Sequence, residues 1–371
     1  MGTSAAATSP DPVRYGIIGS GMMGQEHLRN LLALEQADGG VEVVALADTH
    51  ERSLSDASGW LPPGRTLATF RDHRSLLAAG ICDAVVVATP NHTHAAVLDD
   101  VLATDLHVLV EKPLCTTVAD CRAVVDAAAQ RPGLVWVGLE YRSMPPIARL
   151  LDEVRAGAVG TVRMVAMREH RYPFLEKVAD WNRFNRNTGG TLVEKCCHFF
   201  DLMHLVVGER PTRVFASGGQ AVNHLDERYD GEVPDILDHA FVVVEFPGGA
   251  RGVLDLCMFA EGSRHQEEVS VVGDLGKVEA FLPDSTVRTG TRLGGAAGVR
   301  EESVTDARVA HEGFHHGASY VEHLGFLAAI RTGSVPEVGP DDGLWSVAVG
   351  VAAQRSIAEG RVVDLAEVLD D

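Results

Sequence analysis

At about 150 residues per domain, 371 residues point to two or three units, and 46% hydrophobic with 23% charged residues excludes disorder along the whole length. Lys and Arg total 32 against 52 Asp and Glu. The formal charge of −20 argues against passive binding of nucleic acid or an anionic membrane, so an anionic ligand needs local backbone donors.

The first twelve residues have no basic n-region and no apolar h-region, and 1–12 reads as a tail. From Val13, short apolar runs alternate with helix-like stretches. RYGIIGSG reads as a buried strand ending in glycines, QEHLRNLLALEQA as an amphipathic helix, and VEVVALAD as a second strand closed by Asp48. Helical HERSLSDASGWL and FRDHRSLLAAG precede the strand CDAVVVATP. The alternation continues through HAAVLDDVLAT, HVLVEKP, VADCRAVVDAAAQ and LVWVGLEYR. Continuous β-branched runs between helices imply a parallel sheet covered on both faces, so 13–140 is expected to form a doubly wound α/β domain.

After the helix PPIARLLDEVRAG the pattern changes. TVRMVAMREHRY, RVFASGGQAV, HAFVVVEFPGGARGVLDLCMF, HQEEVSVVGDLGKVEAFL and TVRTGTRLGG are longer strands with Gly-containing turns, Pro247-Gly248-Gly249 among them. They predict an α+β domain over 141–340 with a large open, mostly antiparallel sheet. EKCCHFFDLMHLVVG is its strong internal helix. ASYVEHLGFLAAIRTG and DGLWSVAVGVAAQRSIAEG close the chain, and 341–371 is expected to pack back on the first domain. No apolar run approaches the roughly 18 residues of a membrane span. Six irregularly spaced cysteines without a C-x-x-C pair fit neither a disulfide framework nor a zinc ribbon, and suggest a reduced, cytoplasmic protein.

Gly19-Ser20-Gly21-Met22-Met23-Gly24 follows the first strand and opens the first helix, and Asp48 ends the next strand. Strand, G-x-G-x-x-G, helix, strand and acid together signal a Rossmann dinucleotide site. Gly19 serves the tight turn, Gly21 the close approach of pyrophosphate, and Gly24 the helix–strand packing. The helix N-terminus supplies donors and partial positive charge. Asp48 is expected to bind the adenosine ribose and repel a 2′-phosphate. The expected cofactor is therefore NAD, with Arg52 leaving room for NADP. Met22 and Met23 belong to the same turn and count among the cofactor-binding candidates, although as apolar side chains they are expected to pack the helix more than to touch a ligand.

Three further motifs are Ala88-Thr89-Pro90-Asn91-His92-Thr93-His94, Glu111-Lys112-Pro113, and Glu194-Lys195-Cys196-Cys197-His198-Phe199-Phe200-Asp201. With the glycine motif they resemble the glucose–fructose oxidoreductase, inositol dehydrogenase and rhizopine-catabolism (Gfo/Idh/MocA) family, from about Val13 to Leu365. The resemblance implies an NAD(P)-dependent oxidoreductase acting on CH–OH groups, with Thr89, Pro90, Asn91, His94 and Glu111 beside the cofactor. It places Lys112 between nicotinamide and substrate, before a proline that is often cis in the family. Inositol dehydrogenase-like members open the second-domain helix with D-x-x-x-H. His198 matches their general base and Glu194 replaces the aspartate, while Lys195 and Cys196 depart from the usual apolar and glycine residues. Arg142, His170, Trp181 and Asn182 are implied to line a sugar pocket. A homodimer or homotetramer through the open sheet is implied as well.

The residues support this chemistry independently. Glu194 and His198 are four apart, so a continuous helix places them on one face, and Gly189-Gly190 before them would admit a ligand close to the backbone. An imidazole suits removal of an alcohol proton near neutral pH, and Lys112 would stabilise the developing alkoxide. Activity is then expected to rise through the imidazole pKa, moved upward by Glu194. Cys197 points off the Glu194–His198 face, so no metal is expected. Asp201 and His204 fit a structural network equally well. His315 and His316 either reach the substrate or form a solvated pair. The leading function is an NAD-dependent dehydrogenase oxidising a secondary hydroxyl of a cyclic polyol or sugar. The alternatives are transient redox serving elimination or glycoside cleavage, and a non-catalytic NAD-binding sensor.

Overall fold

The computed structural model describes residues 11–370, so the expected tail over 1–12 lies outside the described residues except for Asp11 and Pro12. Six strands, β1 (Val13–Ile18), β2 (Val41–Ala47), β3 (Ala68–Phe70), β4 (Ala84–Val87), β5 (His107–Glu111) and β6 (Val135–Gly138), form a parallel sheet in the order β3-β2-β1-β4-β5-β6. The connecting helices are α1 (Met22–Asp38), α2 (Glu51–Ser58), α3 (His73–Ala79), α4 (His94–Leu102) and α5 (Val118–Ala128). β4 is buried at every position, as a strand covered on both faces must be. The strand order reverses between β1 and β4, where open α/β sheets bind ligands.

Two local details differ from the sequence pattern. β3 has only three residues, too few to show a period, and pairs in parallel with Ala45–Ala47 of β2. The next helix starts at His73 rather than Phe70, because the Asp72 carboxylate accepts the Ser75 N–H and caps it.

The second unit contains α6 (Pro145–Arg155), β7 (Val162–His170), α7 (Asn185–Thr188), α8 (Thr191–Glu194), α9 (Cys197–Val207), β8 (Arg213–Gly219), β9 (His239–Glu245), β10 (Arg251–Cys257), β11 (Glu267–Gly273), β12 (Gly276–Leu282), β13 (Thr286–Thr291), β14 (Arg300–Ser303), α10 (Ala318–Thr332), α11 (Pro340–Glu359), β15 (Val363–Asp364) and α12 (Leu365–Leu369). Its nine strands run β14-β13-β12-β11-β7-β10-β9-β8-β15 and pair antiparallel except β7 with β10. Gly249, at φ 86°, sits in the expected turn between β9 and β10. The inner face carries Val165, Met167, Val242, Val244, Leu254 and Leu256, all buried. α11 packs on α9 and β8 on one side and on α5 and β6 on the other, joining the two units.

The expected continuous helix over EKCCHFFDLMHLVVG is two helices, broken at Lys195-Cys196 between α8 and α9. Gly189 (φ 77°) and Gly190 (φ 90°) precede them, but what comes close to the backbone there is protein. A Cβ on Gly190 would stand 1.5 Å from Gln354 Oε1, and Gln354 Nε2 donates to the Gly189 carbonyl.

Candidate active site

A cleft of about 750 Å³ opens at the carboxyl ends of β1, β2, β4 and β5, within the range of roughly 300–1,000 Å³ common for ligand sites. Gly19, with φ 91°, brings the β1–α1 turn so close to β4 that an added Cβ would lie 2.6 Å from the Ala88 carbonyl. A Cβ on Gly24 would stand 1.9 Å from the Gly19 carbonyl oxygen, so this glycine permits the helix to seat on the turn. Gly21 has nothing within 4 Å of the same position, and the open space faces the N-terminus of α1. That first turn has neither a side-chain cap nor an acidic residue, leaving its N–H groups to an anion. These features fit a dinucleotide pyrophosphate.

Asp48 has two tasks. Its Oδ2 accepts from Ser20 N (2.7 Å) and Ser20 Oγ (3.1 Å), and its Oδ1 accepts from His50 N (2.7 Å). The carboxylate thus holds the glycine turn against β2 while lining the cleft with Asp72. Met22 and Met23 line the cleft too. Thr89, Pro90, Asn91 and Glu111 also line it. His94 does not: its ring is buried, with Nδ1 2.9 Å from the Pro113 carbonyl and Nε2 3.0 Å from that of Thr89. It ties the two cleft loops together from behind.

At the inner end, Glu111 accepts from the Lys112 backbone N–H (3.1 Å) and from His27 Nε2 (2.9 Å), and His323 Nε2 lies 2.9 Å from His27 Nδ1. Glu111 stays ionised: although burial opposes its charge, His27 and Lys112 pull its pKa down to about 2. The Lys112–Pro113 bond is cis. Lys112 Nζ donates to the Glu194 carbonyl (3.2 Å), which the break between α8 and α9 makes available, and Cys197 Sγ approaches the same oxygen at 3.7 Å. Burial alone would lower the lysine pKa, but Cys197, Glu111, Glu140 and Glu194 outweigh it and raise it. Lys112 is therefore a charged group on the cleft wall.

His198 lies behind Lys112 and is 1% exposed. Its ring stacks on Tyr141 at 3.9 Å with 6° between planes. Burial, then Lys112 and Lys195, push its pKa well below the usual value, so it is neutral over the physiological range. Glu194 is not among the largest influences on it, and its own carboxyl is pushed up by burial. The expected upward movement of the histidine pKa by Glu194 is thereby corrected. Buried cations dominate the field at the ring.

Lys195 joins this cluster. Its Nζ donates to Tyr141 Oη (2.5 Å) and lies 2.9 Å from Glu169 Oε1, which Arg171 also approaches at 3.3 Å. Glu140, absent from the sequence motifs, has Oε1 3.8 Å from His198 Nε2 and 3.4 Å from His315 Nδ1. Its one sequence signal is a charge just after a fully buried strand, at the sheet edge where ligands bind. Glu176 and Lys177 reach the cleft from a loop with no local pattern.

Of the implied pocket residues, Trp181 lines the cleft opposite His92. Arg142 does not; its guanidinium donates to Asp201 Oδ2 and Oδ1 at 2.6 and 2.5 Å and to the Glu337 carbonyl at 2.9 Å. Neither His170 nor Asn182 lines the cleft: His170 lies beside Asp255 Oδ1 at 3.0 Å, and Asn182 donates to the Leu175 carbonyl at 3.0 Å, bracing the loop that carries Glu176, Lys177 and Trp181. His204 sits 3.1 Å from the Glu209 carbonyl, at the far end of α9. His315 enters the inner cluster, whereas His316, at φ 55°, does not line the cleft.

An NAD-binding Rossmann unit with a lysine-centred polar chamber at its inner end, joined to an open sheet, defines an oxidoreductase. Residues 13–139 match the family model described as "Oxidoreductase family, NAD-binding Rossmann fold", and 152–365 the one described as "Oxidoreductase family, C-terminal alpha/beta domain". The chain belongs to the Gfo/Idh/MocA oxidoreductase family. It is 28% identical over 360 residues to myo-inositol 2-dehydrogenase of Thermotoga maritima, covering 96% of this chain and 100% of that one. With scyllo-inositol 2-dehydrogenase (NAD(+)) of Bacillus subtilis the identity is 25% over 355 residues, covering 95% and 96%. In fold it is similar to an oxidoreductase domain protein of Kribbella flavida, with TM-score 0.84, 24% identity and coverage of 96% and 100%.

Proposed function

We propose that the protein is an NAD-dependent dehydrogenase oxidising a secondary hydroxyl of a cyclic polyol or sugar, with Lys112 and His198 handling the alcohol proton. The observation that carries this is a set of buried polar atoms lacking protein partners: Glu194 Oε2 on the cleft wall, and behind it Glu140 Oε1 and Oε2 and His198 Nδ1, on residues whose charge states Lys112 influences. Each such atom left unpaired costs about 1–3 kcal/mol, and the set is rich in acceptors, as a ligand bearing several hydroxyl donors requires. The inositol dehydrogenases among its relatives support the same class of substrate. Bound NAD⁺ supplies the hydride acceptor. Lys112 holds the alcohol oxygen and stabilises its developing negative charge, while neutral His198 accepts the proton. A panel of inositols, hexoses, anhydrosugars and sugar acids with NAD⁺ tests this by the rise of NADH absorbance. Net accumulation of NADH supports the dehydrogenase, and product formed without it supports transient redox.

NAD is expected to exceed NADP in kcat/KM. A 2′-phosphate would meet Asp48 and Asp72, and Arg52 is drawn toward Asp56 at 3.6 Å. Equal or better use of NADP in steady-state kinetics would overturn this role of Asp48.

The assembly proposed is a homodimer or homotetramer through the outer face of the nine-stranded sheet. Met164, Phe215, Phe241 and Val243 stand exposed there among charged residues such as Arg251 and Asp255, and exposed large apolar side chains on one sheet face mark an interaction surface. Phe241→Glu is expected to give a monomer in light scattering, whereas an unchanged mass would move the interface elsewhere. Six free cysteines suit a reducing compartment such as the cytoplasm.

A further inference from the structure

Alcohol oxidation by NAD⁺ yields ketone, NADH and one proton, and a proton taken up by the buried His198 needs a path to solvent. His198 and Glu140 are 1% and 2% exposed, whereas His315, on the loop before α10, is 21% exposed. Glu140 Oε1 stands between them, 3.8 Å from His198 Nε2 and 3.4 Å from His315 Nδ1. Neither Glu140 oxygen has a hydrogen-bond partner among the described residues, and neither does His198 Nδ1 or His315 Nδ1. Four buried polar atoms without partners on three neighbouring side chains are poorly explained as packing.

We propose that His198, Glu140 and His315 form a proton relay that carries the proton of alcohol oxidation from the buried site to solvent. The relay rests on the dehydrogenase reading above. The substrate O–H bond breaks, and its proton bonds to His198 Nδ1. The imidazolium then loses its Nε2 proton to the Glu140 carboxylate, which passes it to His315 and water. Nothing is oxidised or reduced along this path.

The surroundings of Glu140 set its pH dependence. Glu111 and Lys112 face it from β5, Lys195 and His198 from the α8–α9 junction, and His315 and Glu322 from the α10 side. Burial and then Glu111 raise its pKa to about 8, with Lys112 and Lys195 opposing. His315 is pushed down to about 3 by burial and Lys195, so it conducts a proton without storing one. Oxidation needs Glu140 as the carboxylate. Its rate should therefore rise as pH rises through about 8, and the reverse reduction should fall over the same range.

The experiment pairs kinetics with infrared titration of the protein without cofactor. Wild type is expected to show a carboxylic-acid band that disappears near pH 8 and is missing from Glu140→Gln. Glu140→Gln should lose the alkaline rise in kcat and turn over about tenfold more slowly above it, while NADH affinity by fluorescence stays unchanged. Glu140→Asp should keep a pH-dependent rise, and His315→Phe should slow proton release to an indicator dye relative to NADH formation. Superimposable pH profiles for wild type and Glu140→Gln, with turnover intact, overturn the relay alone. Absence of oxidation of any polyol, with the band present, overturns the dehydrogenase reading and the relay with it.

Discussion

Lys112→Met is expected to lower kcat by about a hundredfold or more while NAD affinity stays near that of the wild type. The ammonium is held 3.2 Å from the Glu194 carbonyl, on the wall the cleft presents to a substrate, and surrounding acidic groups keep it charged. Methionine preserves length and volume but removes both the charge and the donors, so the loss falls on the alkoxide-like transition state rather than on packing. The Glu111 contact to the Lys112 backbone N–H does not depend on the side chain, so the turn that shapes the cleft should persist. Steady-state kinetics with a fluorescence titration of NADH separates the outcomes. A variant that loses cofactor affinity yet keeps kcat would reassign Lys112 to cofactor binding.

His198→Ala is expected to reduce kcat by about 10²- to 10⁴-fold, the usual contribution of a general base. Because the ring is buried and stacked on Tyr141, alanine also leaves a void, so His198→Gln is the companion that keeps volume without an equivalent base. The sign of the pH effect follows from the direction of the shift. A histidine whose folded pKa lies well below the usual value is neutral, and competent as a base, at neutral pH. That competence is lost only as pH falls through the lowered pKa, so no imidazole rise is expected between about pH 6 and 7.5. Glu194→Gln should therefore leave the position of the profile unchanged in that interval. Near-normal turnover in both His198 variants would transfer the base to another group, with His315 the next candidate.

The kinetic experiments depend on two kinds of information that the sequence carries unequally. Fold class was legible because each part is local. β-branched runs such as AVVV mark strands buried on both faces, and the spacing of Gly19, Gly21 and Gly24 encodes a turn whose steric demands fall within six residues. Asp48 was legible for the same reason, since it directly follows β2 at the sheet edge where ligands bind, whereas Lys112 was singled out by the resemblance of its Glu-Lys-Pro motif. Helix periodicity was less secure. It joined EKCC to HFFDLMHLVV because the apolar pattern continues through Lys195-Cys196, where the backbone nonetheless breaks and leaves a carbonyl for Lys112.

The sequence by itself therefore determined two α/β units and a dinucleotide turn through short-range patterns, while the places of Lys112 and His198 were implied by the family resemblance of their motifs. Tertiary structure alone decided which ionisable groups share a low-dielectric chamber. Arg142 is taken by Asp201 and Glu337, Lys195 is drawn in to Tyr141 and Glu169, and Glu140 is set between His198 and His315. These partners lie from about thirty to nearly two hundred residues apart, and no local propensity links them. Charge state follows from such neighbours and from burial rather than residue type, which is why a histidine expected to titrate near neutrality is neutral and a glutamate outside every motif titrates near 8.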